Sequence, residues 1–286
     1  MVKKEYLKDK LDEFIETQEL EELAFRTLQS YRNAVNKFLD YIPDEVEINK
    51  RLVMNWKQDL KDKNFALKSR NQFIVVVNKF LSFLGYKDCL VKQFEEQEKS
   101  SLEEQIEPQE HKRMLRWAKQ LGMMEAYFII EVFANSGARI SELQYFTVEN
   151  LDSNYIKGAY NKGKERWLIM TNELRRELKH YCRANKIKEG YIFRSTDKRF
   201  KNDPNKMVNQ STVWRWLKKI ARKAKINPKK IHAHAWRHLF AKKCKELGID
   251  LDELADILGH KNLNTTAIYT KTSLKEKKAK LERIRY

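Results

Sequence analysis

Apolar residues in the first third of the chain recur at three- and four-residue steps. Leu28, Tyr31, Val35, Phe38, Leu39 and Ile42 fall on one side of a helix, and Pro43 stops it. Phe73, Val76, Val77, Phe80 and Leu84 repeat the pattern after a basic opening, Lys68-Ser69-Arg70. Residues 6–15 and 52–60 supply shorter helices, so residues 1–92 predict a small amphipathic bundle. Beyond Pro108, helices are expected at 111–121, ended by Gly122, and at 127–134, ended at Ser136-Gly137. Arg139 opens the next one. Further helices are expected at 214–225 and at 249–258, the last capped by Gly259. Residues 155–160 and 166–170 read as strands flanking Asn161-Lys162-Gly163-Lys164, a hairpin turn. A final basic helix is expected over 271–285, with Leu274, Leu281 and Ile284 on one side. The predicted fold class is mainly α with a small antiparallel β-sheet.

Residues 93–107 break the pattern. They hold six glutamates against one basic residue, Lys99, and show no apolar period. A solvated linker between two domains is the reading, with a charged bridging helix as the alternative. Its net charge of −5 leaves +23 on the rest of a chain whose total is +18. The expected organisation is a helical domain over 1–92, a linker over 93–107, a mixed domain over 108–270 and a tail helix over 271–286.

The charge narrows the partners. Fifty-eight Lys and Arg against 40 Asp and Glu suggest a polyanion, with nucleic acid ahead of an anionic membrane surface. No apolar run is long enough to span a bilayer, and the N-terminus lacks the apolar run of a signal peptide. Cys89, Cys182 and Cys244 are far apart and odd in number, as expected of reduced thiols in a cytoplasmic protein. Residues 214–225 place Arg215, Lys218, Lys219 and Arg222 around an apolar edge of Val213, Leu217, Ile220 and Ala224. A solvated face is the plain account. Charge of a single sign favours a helix laid in a DNA groove instead. Lys68 and Arg70 are the corresponding candidates in the first domain.

The residues with chemistry lie toward the C-terminus. His234-Ala235-Trp236-Arg237-His238 is followed by Leu258-Gly259-His260 and then by Thr265-Thr266-Ala267-Ile268-Tyr269. Arg offers a fork of donors to phosphate oxygens. His can hold or move a proton near neutral pH. Tyr can form a covalent ester and leave again. Taken singly, each has an ordinary explanation: a helix-face histidine pair, a surface arginine, a packing tyrosine. A zinc site is weak here, because no Cys or carboxylate stands at a matching spacing. Far upstream, Ser136-Gly137-Ala138-Arg139-Ile140-Ser141-Glu142-Leu143 would put Arg139 at a helix N-terminus, suited to a phosphate. A cap salt bridge to Glu142 is its alternative.

Together these segments resemble the tyrosine recombinase (phage integrase) family. The resemblance is specific over about 106–270 and looser in Arg26-Thr27-Leu28-Gln29-Ser30-Tyr31. Trp236 stands where the family has an aliphatic residue, Ala233 where Pro is frequent, and Ala138 where a larger apolar residue is usual. The resemblance implies a two-domain architecture, with an N-terminal helical core-binding domain and a C-terminal mixed α/β catalytic domain. It implies cleavage and rejoining of DNA strands through a 3′-phosphotyrosyl intermediate. Tyr269 would be nucleophile, with Arg139 and Arg237 clamping the phosphate and His260 donating to it. His234 would assist proton movement or hold a phosphate oxygen. The family carries a catalytic Lys on its hairpin. Lys162 is the better match and would protonate the leaving group, while Lys164 is the rival and otherwise a backbone contact. His238 is left between the cleft and packing. Neither metal nor nucleotide is expected. The implied partners are double-stranded DNA at short core sites and, on two such sites, a homotetramer assembled from monomers. The first helix opens almost at Met1, so no arm-binding domain is expected. A type IB topoisomerase and a non-catalytic DNA-binding protein are the alternatives.

Overall fold

The computed structural model describes residues 1–95, 105–157, 166–200 and 203–260, together with Leu263, Thr266, Lys278, Leu281 and Glu282. Lys162, Lys164, Tyr269 and most of the expected linker and tail lie outside the described residues. The chain divides into two compact units, Met1–Glu98 and Lys99–Tyr286.

The first unit is built on four helices: α1 (Lys4–Leu20), α2 (Phe25–Tyr41), α3 (Lys50–Asp62) and α4 (Leu67–Phe83). A two-residue strand β1 (Val2–Lys3) pairs antiparallel with β2 (Glu45–Val46). The apolar stripes meet as their periods require. Phe14 packs on Phe80 with ring centroids 5.4 Å apart, and Phe38 meets Trp56 edge-on at 5.2 Å. Asn49 caps α3, its side-chain oxygen accepting from the Leu52 N–H at 2.9 Å. Packing runs on through Phe94, whose ring carries Lys57 on one approach and Arg70 on another.

The second unit is organised around α6 (Met124–Ser136), which is apolar on nearly every side and therefore central. Next to it lie α5 (Pro108–Gln120), α7 (Asn172–Ala184), α8 (Gln210–Lys223) and α9 (Ala233–Glu246), with α10 (Leu251–Leu258) packed on α9. A capping box joins Glu107 and Glu110 at the start of α5. Ile106, just before it, is buried in this unit's core. Strands β3 (Tyr155–Ile156) and β4 (Leu168–Ile169) pair antiparallel, with Tyr155 opposite Ile169. Of the strand expected at 166–170 only Leu168–Ile169 pairs, and residues 158–160 of the other lie outside the described residues. The helix expected after Arg139 is a 3₁₀ helix, Ile140–Tyr145, and α8 begins four residues earlier than expected, at an Asn209 cap. Among the described residues no helix is long and apolar enough to cross a membrane.

Candidate active site

Two helix C-termini converge here. Helix α6 ends at Gly137 in the left-handed conformation (φ +60°), and α10 ends the same way at Gly259 (φ +63°). The last carbonyls of an α-helix have no partner within it and carry the negative end of its dipole. Here guanidiniums satisfy them. Arg237, the fifth residue of α9, has no exposed surface. It donates through Nη1 to the Gly137 carbonyl at 2.6 Å and through Nη2 to the Leu258 carbonyl. Arg139 reaches toward the Gly259 carbonyl at 3.4 Å.

His260 completes the group. Its Nε2 lies 2.9 Å from Arg237 Nη2, and its Nδ1 lies 2.7 Å from Thr266 Oγ1. A guanidinium only donates. Nε2 is therefore the acceptor, and the ring's single proton sits on Nδ1, directed at Thr266. Burial, then Arg237, Arg139 and Arg166, hold this imidazole down to about 4, so it is neutral at physiological pH. The expected donor to a phosphate thus has its acceptor nitrogen turned to Arg237 in this state.

Arg139 and Glu142 make the expected salt bridge, with Nη1 to Oε1 at 2.9 Å, and the Arg139 N–H also donates to Oε2 at 2.7 Å. This contact does not displace Arg139 from the site but aims it there. Glu142 is itself buried and is shared with Arg166, whose Nη2 donates to Oε2 at 2.8 Å. His234 lies on the outer side of α9, exposed yet surrounded closely enough that desolvation, then Arg237, lower its pKa. His238, one turn further, is more enclosed and pushed down to about 4 by burial.

The remaining candidates separate. Arg215, Lys218, Lys219 and Arg222 are all exposed on α8, while Val213, Leu217, Ile220 and Ala224 face inward. Lys68 is exposed, but the guanidinium of Arg70 stands 5.3 Å from the Phe94 ring centroid. Reading the sequence missed Arg166, Thr266 and the pairing of Trp236 with His111, whose Nδ1 accepts from the indole N–H at 3.3 Å. The last had a signal. A Trp in a buried aliphatic position needs an acceptor.

The phage integrase family model matches residues 104–276, and the chain belongs to this family. It is a tyrosine-type site-specific recombinase, an enzyme that breaks and rejoins DNA strands. The tyrosine recombinase XerA of Pyrococcus furiosus is 28% identical over 280 residues, covering 96% of this chain and 93% of that protein. XerD of Staphylococcus aureus is 26% identical over 282 residues, covering 92% of this chain and 94% of XerD. Among solved structures, a lambda integrase dimer bound to a core site has a TM-score of 0.71 at 14% identity, covering 92% of this chain and 76% of that one. The crystal structure of XerA recombinase has a TM-score of 0.53 at 24% identity, covering 98% and 99%. At such identities the structures speak for the fold. The likenesses favour recombination over the topoisomerase reading.

Proposed function

We propose that Tyr269 is the nucleophile and that Arg139, Arg237, His260, His234 and Lys162 serve its attack at a short core site. The phenol oxygen bonds to phosphorus and the bond to the 5′-oxygen breaks, leaving a 3′-phosphotyrosyl link and a 5′-hydroxyl. The phenol proton passes to His234, whose lowered pKa keeps it neutral and able to accept. Lys162 protonates the 5′-oxygen, with Lys164 as its rival. Arg139 and Arg237 hold the non-bridging oxygens, where charge grows, and each such donor is worth on the order of 3 kcal/mol. His260 holds Arg237 in place at rest. It donates to a phosphate oxygen only once its proton moves to Nε2. The ester keeps the bond's energy, so rejoining needs neither nucleotide nor metal.

The observation carrying this reading is that two arginines from separate sequence boxes are held side by side by the carbonyl ends of α6 and α10. The outward charge of α8 supports its placement on DNA, with Arg215, Lys218, Lys219 and Arg222 on phosphates or base edges. Removing any phosphate contact among them would lower the log–log salt slope by about one. Exchange between two duplexes needs four cuts, so the working assembly proposed is a tetramer of protomers that are monomeric in solution. The buried free thiols Cys89, Cys182 and Cys244 suit the cytoplasm.

The test is covalent trapping. Tyr269→Phe keeps the ring and loses the oxygen, so it is expected to bind DNA with near-normal affinity and form no adduct. A Phe variant giving the normal adduct yield on a denaturing gel would reject the assignment.

A further inference from the structure

Arg166 sits two residues before β4 and is only 5% exposed. One planar fork joins two parts of the site. Nη2 donates to Glu142 Oε2 at 2.8 Å, and Nη1 donates to the carbonyls of Leu258 at 2.6 Å and Ile257 at 3.1 Å. Its aliphatic stem is pressed against the turn that follows: a Cβ on Gly259 would lie 2.6 Å from Arg166 Cδ. Glu142 in turn orients Arg139 through both carboxylate oxygens. Leu258 O is shared between Arg166 and Arg237, and the chain runs from there through Gly259 into His260.

A guanidinium is costly to bury, and desolvation pushes this one down to about 10. A packing residue of similar size would fill the space without that cost. The fork supplies directionality, since it fixes a carboxylate and a helix end at a set distance and angle. Lysine, with one nitrogen on a flexible stem, could not grip both.

We propose that Arg166 is a positioning residue for strand cleavage, holding Arg139, through Glu142, in register with Arg237 and His260 on the Leu258–His260 turn. It acts through Glu142 and through the Leu258 carbonyl. The inference rests on reading Arg139 and Arg237 as the phosphate clamp.

The test uses the full chain and the duplex recovered by covalent trapping on the wild-type protein from a random-sequence library. Single-turnover loss of the intact strand is followed for wild type, Arg166→Met, Arg166→Lys and Arg139→Ala. Two substrates are compared, the ordinary phosphodiester and a methylphosphonate at the scissile position. The methyl group removes the negative charge that the clamp answers. Arg166→Met is expected to slow cleavage of the phosphodiester roughly 30-fold or more, with binding nearly unchanged. On the methylphosphonate the loss should shrink to about threefold. Arg166→Lys should show the same pattern more weakly, and it carries the comparison if the Met variant does not fold. A merely structural role would slow both substrates alike, and that result overturns the proposal, as does a Met variant within twofold of wild type. Relief for Arg139→Ala but not for the Arg166 variants would overturn Arg166 alone. No relief for Arg139→Ala would overturn the clamp reading and this proposal with it.

Discussion

Three histidines of the second unit are held uncharged. Burial is the largest cause at His111, His238 and His260, and each is pushed down to about 4 from an ordinary 6.5. Their folded-state values lie below the unfolded ones, so the unfolded chain takes up protons first as pH falls. Stability is therefore full above about pH 6.5 and declines toward pH 4, on the order of 1 kcal/mol per pH unit for each group. Glu125, pushed up to about 8 by burial, works in the opposite sense between its ordinary 4.5 and 8. It cancels one histidine and leaves a net loss on acidification. Urea midpoints at pH 5 and pH 7 decide the matter: a midpoint at pH 5 equal to or above that at pH 7 would refute this account. The residues behind this site were unequally legible. Arg139, Arg237 and His260 stood out because rare combinations at fixed spacing carry information. Arg166 did not, because one buried guanidinium among 58 basic residues looks like any solvated one until its partners are seen. The Arg139–Glu142 salt bridge, which the sequence offers as an alternative to a phosphate role, is present together with a contact from Arg139 to the Gly259 carbonyl, so the two readings are compatible.

At the scale of elements, periodicity located most of the described helices, since most bury one stripe against a neighbour; it gave no helix at 172–184, where α7 lies, and α6 is apolar nearly all round. Their ends were less legible. The Asn209 cap of α8 lies before the first periodic residue, and the 3₁₀ turn after Arg139 is set by Glu142 reaching back to the Arg139 N–H. Glycine ends were the exception, because a positive φ is written in the residue itself. The hairpin turn expected at 161–164 offers a sharper question of chemistry. Lys162→Ala is expected to lose most cleavage on normal DNA and to regain it when the 5′ leaving atom is sulfur, because a thiolate departs without a proton. Rescue of Lys164→Ala in place of Lys162→Ala would move the general acid two residues along.

For the whole molecule, the two units each bury their own core. The tail is expected to bear on assembly. Leu281, one of the three apolar residues expected on one side of the tail helix, is 65% exposed in the single chain. A short terminal helix is marginal alone and gains stability by docking. We propose a groove on a neighbouring protomer as its seat, with a basic tail that only adds phosphate affinity as the alternative. Truncation after Ser273 is then expected to preserve binding to a single site within a few-fold and to impair pairing of two sites. Normal recombination by the truncated chain would return the tail to the simpler role.

The glycines that end α6 and α10 also bear on how sequence change is tolerated. A Cβ at Gly137 would lie 2.7 Å from Phe240 and 2.9 Å from Leu258, and one at Gly259 would meet Arg166. Both also have the left-handed φ that side chains resist. Neither glycine is assigned a part in the chemistry, yet a side chain at 137 would press on Phe240 and Leu258, and one at 259 on the stem of Arg166. In a library of every single substitution selected for recombination, positions 137 and 259 should be as sparsely populated as 139 and 237. Gly122 and Gly248, which share the positive φ but meet nothing within 4 Å, should accept asparagine. Equal tolerance at all four glycines would mean that the fit around the arginines imposes no such constraint.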